Sequence, residues 1–296
     1  MDKEKHAYLV IAHKYDEMFF TLLKMLDHPL NDIFLHMDIK CREFDEENVR
    51  STLKKSNLYL TKRTDVNWGN FRQINAELLL LDLATKTGKY RYYHLVSGQD
   101  LPLKSQDYIH DYLKDSDLEY LEVVKDEPRD EYRVRYFHFI SKKRNVTENH
   151  KKSQSFMDFQ KKLGIERNKK MEVRKGSNWF SITDDLARYI VKNEGWIRRH
   201  FFLSVCADEL FIQTLVNKSP FKARLYKDDK IDTYSGNKRE IDWTRCNGMN
   251  PHVYTMEDLE MLTSSDNLFA RKFDPKTDMG IIEAIYELYK RREDDT

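Results

Sequence analysis

An α/β fold, with helices packed against a central sheet, is predicted by three observations. The continuous apolar run Ala7 to Ala12 is too short for a buried helix and reads as a strand covered on both faces. It leads into Tyr15 to Leu26, where Phe19, Leu22, Leu23 and Leu26 recur at helical spacing, and then into Ile33-Phe34-Leu35, a second strand, so the segment is a β-α-β unit. Only 9 glycines and 6 prolines in 296 residues leave few places for a flexible linker, and with 40% hydrophobic residues the chain can bury a large core. Residues 1–296 are therefore read as a single domain.

The alternation continues along the chain. Leu58 to Leu60 is a third strand, Phe71 to Ala84 a helix with Phe71, Ile74, Leu78 and Leu81 on one face, and Tyr92 to Val96 a fourth strand that ends in the turn Ser97-Gly98-Gln99-Asp100. Gln106 to Leu113 and Leu118 to Val124 repeat helix then strand, so the first half alternates as a Rossmann-like nucleotide fold does. Tyr132 to Ile140 alternates enough to be a strand. Ser141 to Arg174 is polar, with Lys/Arg clusters at 142–144, 151–152, 161–162 and 169–170. The stretch around 141–175 reads as a basic excursion from the core: either a solvated insertion or a lip that meets a phosphate-bearing acceptor or an anionic membrane. Asn178 to Thr183 is a strand leading into a helix capped by Asp184 or Asp185 and running through Val191. Asp208 to Val216, Met256 to Thr263 and Ile281 to Tyr289 are the remaining helices.

Composition excludes several classes. With 51 Lys+Arg against 50 Asp+Glu the net charge is +1, which argues against nucleic acid as the partner. Cys41, Cys206 and Cys246 lack zinc or disulfide spacing and suit a reducing compartment. The apolar run at the N-terminus is too short for a signal or a membrane span, so the expected location is cytoplasmic or peripheral, at the inner face of a membrane. Asn145-Val146-Thr147 matches a glycosylation sequon and is given no weight without a secretion signal.

Candidate chemistry lies at strand ends, where ligands of open α/β sheets bind. His13 ends the first strand, and His36 and Asp38 the second; Asp38 can accept from a ribose hydroxyl or a base N–H, or merely cap a turn. There is no G-x-G-x-x-G and no Walker P-loop. An Asp-x-Asp after a central strand would hold a divalent cation on a diphosphate. Asp115-Ser116-Asp117 precedes a strand and reads as a helix-end turn, while the fourth strand's end offers Gln99 and the single carboxylate Asp100. A bound diphosphate would then be met by Arg or Lys. In Cys206-Ala207-Asp208-Glu209, Asp208 can cap a helix while Glu209 projects as a general base, or both can simply complement the helix dipole. Trp243, in Ile241 to Arg245, can form a platform for a sugar face. Arg271 and Lys272 stand beside aromatic anchors in Leu268 to Asp274.

Seven stretches in order, AYLVIAHK (7–14), IFLHMD (33–38), VNWGN (66–70), YHLVSGQDLPL (93–103), KGSNWFSI (175–182), ADELFIQT (207–214) and LFARKFD (268–274), resemble the core-2/I-branching β-1,6-N-acetylglucosaminyltransferase family, which includes the peptide O-xylosyltransferases. The resemblance implies a GT-A fold, a UDP-sugar donor, a glycan acceptor, and inversion at the anomeric carbon with no metal and no cofactor. By that resemblance Glu209 is the catalytic base, Lys272 meets the donor diphosphate, Asp38 contacts the nucleoside, Trp243 lines the acceptor site, and Ser97 to Asp100 belong to the donor and acceptor cleft. The family's second diphosphate-binding Arg falls on Met249, so Arg245 or Arg271 supplies that charge, or the diphosphate is held more weakly. The family's membrane anchor and disulfides have no counterpart, which implies a bacterial relative acting on a cell-surface glycan, either free or lipid-linked. N-acetylglucosamine is the first expected sugar and xylose the next. The competing readings are a metal-dependent transferase with Asp100, or Asp115 and Asp117, on manganese, and a non-catalytic nucleotide-sugar or carbohydrate-binding module.

Overall fold

The computed structural model describes residues 4–124, 130–138, 146–227, 233–245 and 250–294. Strands β1 (His6–Ala12), β2 (Asn31–Met37), β3 (Asn57–Leu60) and β4 (Tyr92–Ser97) pair in parallel, in the spatial order β3-β2-β1-β4. The sheet then turns mixed: β8 (Phe180–Thr183) pairs antiparallel with β4, and β6 (Tyr120–Leu121) antiparallel with β8. Every residue of β2 is buried, as expected for a strand covered on both faces. Helix α1 (Glu17–Leu26), capped by Asp16, and the long helix α11 (Met279–Asp294) cover one face with Phe19, Leu22, Leu26, Ile282 and Ile285. Helices α3 (Phe71–Thr87) and α7 (Asp184–Lys192) cover the other with Ile74, Leu78, Leu81, Leu186 and Ile190. The expected mixed α/β architecture is what the chain adopts.

A second, three-stranded sheet was not legible in the sequence. It consists of β5 (Asp100–Pro102), β10 (Arg239–Ile241) and β11 (Phe269–Arg271), with β11 between the other two and Arg271 in register with both Asp100 and Ile241. This sheet delivers Arg271 and Lys272 to the carboxyl end of β4.

Four expectations are corrected. The strand expected over Leu118 to Val124 is interrupted at Glu122: β6 belongs to the main sheet, whereas β7 (Val123–Val124) pairs with β9 (Thr233–Ser235) elsewhere. At that break the chain lies against Gly176, where an added Cβ would come 1.8 Å from the Glu122 carbonyl oxygen. Tyr132 to Ile140 is not a strand. Tyr132–Arg135 is a helical turn, α5, because Asp130 and Glu131 pair with Arg133 and Arg135 at helical spacing; residues 139–140 lie outside the described residues. The helix after β8 is capped by Thr183, not by Asp184 or Asp185. Asp208 to Val216 divides into a 3₁₀ turn, Ala207–Glu209, and helix α9 (Phe211–Asn217), and Asp208 caps neither.

Within the basic stretch, Val146–Lys162 forms helix α6. It is not wholly solvated, since Met157, Gln160 and the following Met171 are buried. Residues 141–145, with their Lys/Arg cluster and Asn145, lie outside the described residues. Asp115-Ser116-Asp117 is the expected turn, directly after α4 (Gln106–Leu113), with the Ser116 amide donating to the Leu113 carbonyl.

Candidate active site

The carboxyl ends of β1, β2 and β4 form one side of the site. His13 and Lys14 follow β1, and the Asp38 amide donates to the Ala12 carbonyl at 2.8 Å, which ties the end of β2 to β1. The buried Asp38 carboxylate accepts from the Lys40 amide at 2.9 Å and the Val66 amide at 3.3 Å, and pairs with Lys40 Nζ at 3.1 Å. It therefore cinches the 64–70 loop to the sheet, with Arg63 donating to the Asp38 carbonyl at 2.9 Å. His36 is buried and bonded to Thr64 Oγ1 at 2.9 Å, a structural histidine. His13 keeps solvent contact at the rim, yet the protein around its ring displaces enough water, with the charges of Lys14 and Lys272, to hold its pKa below the usual imidazole value, against Asp38.

The small sheet supplies the cations. Arg271 Nη1 lies 2.9 Å from Asp100 Oδ1 and 3.1 Å from Ser97 Oγ, and its guanidinium stacks 4.0 Å from the Trp179 ring centroid. Asp100 also accepts from the Ser97 amide at 2.7 Å. Burial pushes the Asp100 carboxyl up and the Arg271 guanidinium down, and each partner's charge opposes that in the other. Gln99 braces the same turn: its amide side chain donates to the Phe273 carbonyl at 3.3 Å, and its own carbonyl accepts from the Phe273 amide at 3.0 Å. Lys272, next after Arg271, extends its charge toward His13 and Asp274. Lys14 Nζ pairs with Asp274 at 3.0 Å. Burial works against the Asp274 carboxylate, but the Lys14 bond and the two lysine charges outweigh it and lower its pKa.

Arg245 and Trp243 follow β10. Arg245 forms a surface clamp with Asp242 and with Asp258, the latter at 2.7 Å, while Trp243 is half exposed. Met249 and Cys246 lie outside the described residues.

Glu209 stands on the 3₁₀ turn with its side chain about one third exposed. Arg133 Nη1 holds its Oε2 at 2.8 Å; Arg133 Nε in turn bonds Asp130 at 2.8 Å, and Lys175 Nζ bonds the other Asp130 oxygen at 2.9 Å. The turn is fixed through its backbone: the Gly176 amide donates to the Glu209 carbonyl at 3.0 Å, and Cys206, at a φ of 46°, donates its amide to the Gly69 carbonyl at 2.8 Å. Because β8 is antiparallel to β4, the segment 176–179 that precedes it lies at the carboxyl end of β4. The same segment thus touches Glu209 through Gly176 and Arg271 through Trp179. Sequence reasoning missed Arg133, Trp179, Lys14 and Asp274 as members of this site. Among the described residues no group of three or more His, Cys, Asp or Glu side chains is placed to hold a metal ion.

Over most of its length, residues 6–263, the chain fits the Core-2/I-Branching enzyme model. The chain belongs to that family. Human N-acetyllactosaminide β-1,6-N-acetylglucosaminyl-transferase is 26% identical over 97% of this chain and 72% of its own length, and the Danio rerio β-1,3-galactosyl-O-glycosyl-glycoprotein β-1,6-N-acetylglucosaminyltransferase 4 is 22% identical over 97% and 70%. Among solved structures, mouse xyloside xylosyltransferase 1 in its apo form covers 89% of this chain and 96% of that one at 9% identity, with a TM-score of 0.37, a loose likeness. This Core-2/I-branching protein is a glycosyltransferase, and its family implies a nucleotide-sugar donor and a glycan acceptor.

Proposed function

We propose that this enzyme transfers N-acetylglucosamine, with xylose the next candidate, from a UDP-sugar to a hydroxyl of a glycan with inversion and without a metal ion. The single observation that carries the reading is Glu209, a partly exposed carboxylate held at 2.8 Å by Arg133 on a turn fixed by backbone bonds. Glu209 takes the proton of the acceptor hydroxyl as its oxygen attacks the anomeric carbon; the bond to UDP breaks on the opposite face. The charge that develops on the leaving diphosphate falls to cationic side chains. Lys272 is the first choice, with Lys14 beside it. Arg271 is paired with Asp100 and stacked on Trp179, Arg245 is paired with Asp242 and Asp258, and Lys14 with Asp274, so any of the three would exchange a partner for the diphosphate to serve as the second ligand. His13 and Asp38 are assigned to the nucleoside and Trp243 to the acceptor, while Gln99 and Asp100, closed on Phe273, Arg271 and Ser97, hold the 97–100 turn of the cleft. The experiment is calorimetric titration with UDP and a panel of UDP-sugars, in EDTA and again in manganese, on the parent and on Lys272→Ala. Binding in EDTA that weakens about tenfold or more in the variant supports the reading, since a hydrogen bond to a charged group contributes about 1.5–3 kcal/mol. Binding only in manganese overturns the metal-free site, no binding at all overturns the UDP-sugar reading, and binding of UDP with no turnover against any acceptor would favour a non-catalytic module.

The acceptor is proposed to be a cell-surface glycan carried on a lipid at the cytoplasmic face of a membrane. Phe159, Leu163 and Ile165 are exposed at the end of α6, among Lys161, Lys162, Lys169 and Lys170. Apolar tips among cations suit an anionic bilayer. Sedimentation with vesicles containing anionic lipid, but not with neutral vesicles, is the expected result, and Leu163→Glu should abolish it. Equal recovery of parent and variant would remove this part.

A further inference from the structure

Directly behind the Glu209 turn lies a pair of buried carboxyl groups without a cation of their own. Glu77, in the middle of α3, is fully buried, and Asp208 is only 9% exposed. Gln73, one helical turn before Glu77, donates Nε2 to Asp208 Oδ2 at 2.9 Å, and Asn178 donates Nδ2 to Glu77 Oε1 at 3.0 Å. The remaining oxygens, Glu77 Oε2 and Asp208 Oδ1, have no hydrogen-bond partner. Two ionised carboxylates left in that state would each carry the cost of a buried, unsatisfied charge. A single proton removes one of those charges and turns an orphan acceptor into a donor. Burial first, and then a neighbouring acid, pushes both groups up: Asp208 acts on Glu77, and Glu209 on Asp208, which reaches about 7.

We propose that Glu77 is a protonated, neutral acid in the folded enzyme at neutral pH, and that Glu77 and Asp208 are positioning residues which lock the turn carrying Glu209. The proton belongs on Glu77 because it is the deeper group and feels the charge of Asp208, whereas Arg133 favours the ionised form of Asp208. Asp208 then carries the charge, held by Gln73, and anchors Ala207–Glu209 to α3. The other ionisable groups around the pair are Cys206 on the same turn, its thiol pushed up to about 12 mainly by burial, Glu209 and Arg133 in front with Asp130 and Lys175 beyond, and Glu122 across Gly176. The catalytic consequence rests on Glu209 as the base; the location of the proton does not.

Glu77→Gln reproduces the shape and the donor of the neutral acid. An acid whose pKa is raised by folding keeps its proton when the unfolded chain has lost it, so it lowers stability as pH rises above the unfolded value. The variant's Tm, measured against the parent, should therefore increase between pH 5.5 and 8.5, by on the order of 2–4 °C. A difference that is constant with pH overturns the proposal. A Glu77→Gln chain that does not fold overturns it equally, because the amide matches the neutral acid. Asp208→Asn supplies the second readout: with that negative neighbour gone, the rise of the Glu77→Gln difference in Tm between pH 5.5 and 8.5 should become smaller, whereas an Asp208 that only props the turn would leave it unchanged. If Glu209→Gln keeps full transfer, the base assignment falls while the Tm comparison still decides the proton.

Discussion

Two arginine–carboxylate pairs flank the site, alike in distance and opposite in setting: Arg271 and Asp100 at 2.9 Å, Arg133 and Glu209 at 2.8 Å. The side chains of the first pair are 14% and 4% exposed, those of the second 17% and 32%. Water makes the difference. Asp100 has its lone pairs spent on Arg271 and Ser97, so the pair works as a rivet between the small sheet and the end of β4. Glu209 uses one oxygen on Arg133 and turns its exposed part outward, where a hydroxyl can reach it. A pair closed on itself builds the site, and a pair left half open can do proton chemistry.

The comparison breaks first at Glu209. Glu209→Gln should lower transfer by about 10²–10⁴ while UDP binding and folding stay as in the parent, because general-base catalysis contributes about that much. Activity within about tenfold of the parent would return Glu209 to the status of a turn acid. Asp100→Asn should behave in the opposite way. It strands the buried Arg271 charge, so urea denaturation should show a loss of about 3–5 kcal/mol, against about 1 kcal/mol or less for Glu209→Gln, whose pair is more open to solvent. Equal losses for the two variants would mean that exposure does not separate the pairs.

A smaller effect tests the dry side of the sheet. His94 bonds His6 at 3.1 Å and Ser181 at 2.7 Å, and His6 stacks on His110 with centroids 3.9 Å apart. Burial, then neighbouring positive groups including His110 and, for His94, Arg239, holds His6 and His94 well below the usual imidazole value. They stay neutral when folded, whereas the unfolded chain takes up protons as pH falls through about 6.5. The contribution of neutral burial is thus complete above that pH and is lost below it. The parent should lose stability relative to His94→Gln from pH 7 to 5, and a pH-independent difference would show that the histidines are not held neutral.

The parallel core was legible because Ala7 to Ala12 is a continuous apolar run, Ile33-Phe34-Leu35 and Leu95-Val96 are short ones, and Phe71 to Ala84 keeps one helical period. Tyr132 to Arg135 was not, since Tyr-Arg-Val-Arg alternates like a strand while the pairs with Asp130 and Glu131 favour a helical turn. Glu209 and Lys272 could be picked out from their motifs. Their settings could not, because Arg133 and Glu209 are 76 positions apart and Arg271 and Asp100 are 171 apart. Strands of three residues, such as β5, β10 and β11, carry too little pattern to be found, and they are what commits Arg271 to Asp100. By sequence alone Arg271 is free to meet a diphosphate; in the fold it is not.

Gly176 and Trp179 stand three residues apart, one bonded to the carrier of the base and the other stacked on the buried guanidinium. Three extended steps span at most about 10 Å, so this stretch of backbone acts as a gauge that sets the separation of the two halves of the reaction centre. One inserted residue would lengthen it by up to about 3.3 Å, roughly the whole reach of a near-attack contact. Changes in length here would therefore retune which donor and acceptor can be brought together, without altering any side chain that touches them.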